Sequence, residues 1–336
     1  MDSKKLKYSI TILALGLIAG FALTFWLVPE NKFIPENDKA GLDTAKLGEQ
    51  YKYNFDELKK VDPKLVLYKE VEEFKTGFDG AAGIVIDEDD KIYIYGDKGV
   101  RIVDNKGTFL KELKTEERVT AVAVTRDGMI YVAKRDKVVF GKGLSESFGK
   151  KGKGDGEFEY ITSMKIIMNK LFIADAGNRR VSMFGSDGFC FFTFGKKDPG
   201  KGVKGFIIPS PHMDLAVDRD GSLWVANTGM QRLEKFTTKG IFLSSWGKSG
   251  MKIDEFIGCC NPANFVIDKE GNFITSEKGV LRIKKYDKTG KFLGVVAAPS
   301  AFNEKNISIP LAVDSKNKVY ALDGASKTVR VFERSK

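Results

Sequence analysis

A single histidine, His212, and three cysteines are all that this 336-residue chain offers to imidazole and thiol chemistry. A Ser-His-Asp triad would have to recruit His212, and no Gly-x-Ser-x-Gly elbow accompanies it. A zinc site would need something like His212 with Cys259, Cys260 and a carboxylate, and adjacent residues supply poor geometry for that. Phosphate-cradling glycine loops and EF-hand spacing are missing too, so no metal or cofactor is expected. An odd number of cysteines leaves at least one thiol over. A bridge between the neighbours Cys259 and Cys260 would be strained, because a trans peptide holds adjacent Cα atoms about 3.8 Å apart, below the usual disulfide range of about 4.4 to 6.8 Å.

Long apolar runs are missing as well, with one exception at residues 8–28, which are uncharged and contain Leu, Ile, Ala, Phe and Trp26. Roughly 20 apolar residues at 1.5 Å rise span a bilayer core, which predicts a transmembrane helix. The run ends in Trp26-Leu27-Val28-Pro29 with no small-residue cleavage pattern and no cysteine for lipid attachment, so it reads as an uncleaved signal anchor. Lys4, Lys5 and Lys7 precede it, which keeps residues 1–7 in the cytoplasm and sends the rest of the chain outside, to a periplasmic or extracellular location. Residues 29–64 are rich in charge and carry no strand pattern; they read as a stalk with one short helix around Tyr53 to Lys60.

The formal charge of +10 would suit nucleic acid, with Lys150, Lys151, Lys153, Lys196 and Lys197 as basic clusters. An outward-facing protein does not meet nucleic acid, which is therefore not expected as a partner. Those lysines read as solvated loops, or as an attraction to anionic lipids and envelope polymers.

From residue 65 onward the chain repeats one phrase. A hydrophobic strand is followed by an Asp or Gly turn, a second strand rich in Ile, Tyr, Val and Trp, a Gly-containing turn, and a third strand ending in Phe or Tyr. Copies start near Ala82, Val119, Met164, Leu215, Asn264 and Leu311, a period of roughly 40 to 50 residues. A further turn, as in Asn105-Lys106-Gly107 or Ser186-Asp187-Gly188, leads to a fourth strand. Four antiparallel strands per copy and six copies predict an all-β, six-bladed β-propeller at residues 65–336. The last copy stops after its third strand, whereas Leu65 to Phe74 resembles a fourth strand. The N-terminal strand is therefore expected to complete the last blade and close the ring.

Ala174-Asp175-Ala176-Gly177-Asn178-Arg179-Arg180-Val181 with Phe184, and more loosely Ala226 to Leu233 with Phe236, resemble the NHL-repeat family of six-bladed propellers. That family spans receptors, RNA binders, lyases and scaffolds, so the resemblance implies an architecture without fixing a function. Gly258-Cys259-Cys260-Asn261-Pro262 resembles a phrase of a bacterial subset of such propellers. It reads either as a functional thiol pair or as a tight turn with small thiols as filler. The NHL-like amidating lyases hold zinc with several histidines, which a chain with one histidine does not match.

Loops that lead into the inner strands should ring one mouth of the central channel. They supply Arg118, Tyr160, His212, Asp214, Cys259, Cys260, Asn261 and Asn264 as candidate ligand-binding residues. Repetition of Asp175, Asn178 and Arg180 at equivalent turns argues for hydrogen bonding within and between blades rather than catalysis. The leading expectation is a membrane-tethered, extracytoplasmic binding or scaffolding module, engaging a protein, glycan or small molecule at its rim. The alternative is an extracytoplasmic enzyme, lyase-like or thiol-redox, built on Cys259, Cys260 and His212.

Overall fold

A computed structural model describes residues 55–197 and 205–335. The expected tail (1–7), membrane span (8–28) and the part of the stalk before residue 55 lie outside the described residues. Among the described residues, no helix is long and apolar enough to cross a membrane. The chain enters the described region through a short helix, Phe55–Lys59.

The rest is all-β: six four-stranded antiparallel sheets, each one blade of a propeller. Blades 1 to 5 take residues 81–114, 121–148, 161–194, 215–246 and 264–297, with the strands in chain order from the channel outward. Blade 6 takes its three inner strands from Leu311–Val313, Val319–Asp323 and Thr328–Arg334. Its outermost strand is Tyr68–Lys75, paired antiparallel with Thr328–Arg334 from Tyr68↔Arg334 to Lys75↔Thr328.

Strand character follows burial. Second strands such as Ile92–Gly96, Leu223–Asn227 and Val319–Asp323 are buried at every position, because both faces of a blade are covered by its neighbours. Outer strands such as Phe242–Trp246 are mostly exposed. Each of six apolar clusters straddles two neighbouring blades. The cluster joining blades 6 and 1 sets Tyr320, Leu322, Val329 and Val331 against Ile84, Ile92, Ile94 and Val103.

The aspartates of the repeat act locally. Asp218 Oδ1 accepts from the amides of Asp220 and Ser222, and its Oδ2 accepts from Trp224 Nε1 at 3.0 Å. Asp87 does the same with the amides of Asp89 and Lys91 and with the Tyr93 hydroxyl. One carboxylate thus fixes the turn and pins an aromatic ring of the second strand.

Candidate functional site

Strand register turns the channel wall into stacked rings of residues. Gly83, Ala121 and Ser163 face Tyr95, Ala133 and Ala174 of their second strands, and Asn264 faces Ser276. Asp214 and Pro310 join the same level, since their carbonyls accept from the amides of Ala226 and Leu322. Two residues deeper lies a second ring of Val85, Ala123, Lys165, Ala216, Val266 and Ala312, each opposite a residue of its second strand. The upper ring opens into a cavity of about 590 Å³ at the channel mouth. Below it a narrower space of about 220 Å³ continues down the channel past Val85, Lys165 and Ala216.

Five of the eight candidate residues line the mouth cavity: Arg118, Tyr160, His212, Asp214 and Asn264. Arg118 forms an ion pair with Asp97 and donates to the Gly80 carbonyl at 3.1 Å. Tyr160 lies under the Arg135 guanidinium, 5.5 Å from its ring centre. Asp214 Oδ1 accepts from Ser163 Oγ at 2.7 Å and from the Leu215 amide, and Oδ2 accepts from the Phe265 amide. That carboxylate stitches blades 3, 4 and 5 together at the mouth. The Asn264 Oδ1 is buried and has no hydrogen-bond partner among the described residues.

Cys259, Cys260 and Asn261 do not line that cavity. The Asn261 amide donates to the carbonyls of Ile257 and Lys278 and accepts from the Lys278 amide at 2.6 Å, which folds the loop onto itself. Cys259 is exposed and Cys260 buried, both as free thiols with their sulfurs 3.2 Å apart. Burial pushes the Cys260 thiol above its ordinary range, which disfavours the thiolate that nucleophilic sulfur chemistry requires.

Two further wall residues, Tyr95 and Lys165, were not among those the sequence suggested. Tyr95 stands where the other blades carry Ala133, Ala174, Ala226, Ser276 and Leu322. Its ring fits because its partner on the inner strand is Gly83: a Cβ there would lie 2.2 Å from the phenol oxygen. Burial first, then the charge of Asp214, raises the Tyr95 phenol far above its ordinary value, so it remains a hydrogen-bond donor. Lys165 occupies a level at which every other blade is Val or Ala. Both stand out only when strand levels are compared across the blades by their register.

Burial, with a smaller contribution from the charge of Lys278, lowers the His212 imidazole to about 4. A base whose folded value lies below the unfolded 6.5 contributes stability in full above pH 6.5 and loses it as pH falls toward 4. The loss amounts to at most about 3 kcal/mol, since each unit is worth about 1.4 kcal/mol and His212 retains some solvent contact. Urea titrations at pH 7 and pH 4.5 should show His212→Gln losing less stability than the parent over that interval. Equal losses in the two proteins would exclude a buried neutral imidazole.

No protein-family model and no curated protein matches the chain by sequence. Solved structures match by fold. A protein of unknown function from Bacteroides thetaiotaomicron superposes with a TM-score of 0.58 at 13% identity, over 80% of this chain and 76% of that one. A gluconolactonase from Xanthomonas campestris gives 0.56 at 13% identity, over 78% and 89%. Virginiamycin B lyase from Staphylococcus aureus, solved with quinupristin, gives 0.54 at 12% identity, over 80% and 100%. These likenesses establish the propeller fold.

Proposed function

We propose that this chain is a membrane-tethered, NHL-type propeller that works as an extracytoplasmic binding module, and that its recognition site is the mouth of the central channel. The tether is residues 8–28, for which the support is the lysine-flanked apolar run. The observation that carries the binding reading is the cavity of about 590 Å³, lined by polar groups from the blades and their connecting loops, Tyr95, Arg118, Lys165, His212 and Asn264 among them. Its volume falls in the range of about 300 to 1,000 Å³ usual for small-molecule sites. Asn264 and Lys165 stand on inner strands, and the loops that lead into those strands supply Arg118, Tyr160 and His212.

Hydrolase or lyase chemistry is a second reading, favoured by one observation: His212 lines the same cavity as a neutral imidazole. The gluconolactonase and lyase activities of two structural neighbours are compatible with it. The thiol pair gives it no support, since neither cysteine lines the cavity.

The test uses a chemically mixed small-molecule library and ligand-observed NMR on the full-length protein. Compounds should bind the parent, and Ser308→Trp, at a residue lining the cavity, should set an indole in the mouth and abolish most of the binding. Hits indifferent to Ser308→Trp would remove the channel mouth as the site. A hit consumed by the parent but not by His212→Ala would favour the enzyme reading.

A further inference from the structure

Building on the channel mouth as the binding site, we propose that its ligand is a small carboxylate, with Lys165 as the counter-ion at the bottom of the cavity and the Asn264 amide and Tyr95 hydroxyl gripping the polar remainder.

Lys165 is the anomaly of the channel wall. Its neighbours at the same level are Val85, Ala123, Ala216, Val266 and Ala312, so the fold has no structural requirement for a charge there. The side chain is half-buried, borders both the mouth cavity and the space beneath it, and makes no hydrogen bond or ion pair with any described residue. The other interior lysines differ. Lys284 pairs with Glu277 at 3.2 Å, and Lys285 with Asp268 at 2.8 Å. An ammonium that borders the cavity among apolar walls, with no carboxylate partner among the described residues, offers a charge that an incoming anion can pair with.

The surrounding charges point the same way. Asp214 is the carboxylate nearest in the ring sequence, and both of its oxygens are occupied by Ser163 and the amides of Leu215 and Phe265. Arg118 and Lys305 add positive charge at the rim, where Arg118 is already paired with Asp97. At the level above Lys165, neither the Asn264 Oδ1 nor the Tyr95 hydroxyl has a hydrogen-bond partner among the described residues. One accepts and the other donates, which suits a hydroxyl or amide carried by the same ligand. Apolar atoms of Ile84, Val85, Val266 and Leu311 line the intervening wall. The ligand is thus amphipathic, with one anionic end directed down the channel.

The experiment uses matched fragment triplets, each skeleton carried as carboxylate, primary amide and amine. Each fragment is offered to the full-length protein at about 1 mM and read by ligand-observed NMR, which detects dissociation constants near that value. Carboxylates should dominate the hits, and Lys165→Met should weaken them about tenfold or more, the worth of a charge-assisted hydrogen bond. Because the sister positions are apolar, Lys165→Met should melt no lower than the parent, which separates lost binding from lost folding. Asn264→Ala should weaken hydroxylated carboxylates more than plain ones.

Hits spread evenly over the three charge states, or carboxylates indifferent to Lys165→Met, would overturn the carboxylate assignment while leaving the channel mouth as the binding site. A screen with no hits, or hits indifferent to Ser308→Trp, would remove both.

Discussion

A chain beginning at Thr76 is expected to melt more than 10 °C below the parent, by order of magnitude, or to aggregate on purification. The strand it lacks, Tyr68–Lys75, forms seven register pairs with Thr328–Arg334. Tyr68 is buried among residues of blades 5 and 6, and its hydroxyl accepts from Lys285 Nζ at 2.9 Å. Glu70 is paired with Arg330, and the Leu67 amide donates to the Val295 carbonyl of blade 5 at 2.8 Å. Truncation would therefore uncover the edge of Thr328–Arg334 and take a hydroxyl from a buried Lys285–Asp268 pair. The loss is on the order of 5 kcal/mol, the sum of a buried aromatic and several ladder hydrogen bonds. A chain beginning at Leu65 is the control and should melt within a few degrees of the full protein. Adding the peptide 65–75 in trans should restore part of the difference, as strand addition to an open edge does. Equal melting of the two truncated chains would show that the ring is held by its blade interfaces alone.

The repeat was legible because its period is set by local chemistry. Asp218 and Asp87 recur where a turn needs a carboxylate to cap two amides, and Gly107 and Gly188 recur where the backbone takes positive φ. Such constraints act within a few residues, so they leave a mark in the sequence. The mouth residues were legible only in part, because chain position says which loop a residue occupies and not which way that loop folds. Arg118, Tyr160 and His212 reach the cavity, whereas the loop of Cys259 and Asn261 turns back on Ile257 and Lys278.

Lys165 stayed hidden for a different reason. Blade 3 joins its first two strands through Met168 and Asn169, both at positive φ, whereas the other blades use a longer Asp or Thr turn. Aligning repeats on the Val-Asp phrase therefore finds no counterpart in blade 3 and leaves its lysine out of the column. Tyr95 needed a relation across two strands, the vacancy left by Gly83, that no single stretch of sequence displays.

Replacing Arg180 by Met is expected to cost about 3 to 5 kcal/mol, the range for breaking a buried charged network on one side. Arg180 and Asp175 are both fully buried, and neither touches the mouth cavity. The Arg180 guanidinium donates to the carbonyls of Lys153, Gly154 and Glu157 at 2.6 to 3.0 Å. Asp175 accepts from the amides of Glu159, Tyr160 and Asn178 and from Asn178 Nδ2. Together they clamp residues 153–160, the connection between blades 2 and 3, against the end of the blade 3 strands. Met would fill the space but take the guanidinium donors from the carbonyls of Lys153, Gly154 and Glu157 and leave the buried Asp175 without its countercharge. Asp175→Asn combined with Arg180→Met should cost less than the sum of the single changes, with a coupling of about 1 to 3 kcal/mol, because both charges leave together. Urea titration of the four proteins measures that coupling. Limited proteolysis should also cut the 153–160 segment faster in Arg180→Met while the rest of the ring stays intact. A cost below about 1 kcal/mol with no change in cleavage would mean that the clamp is a consequence of blade packing and not a cause.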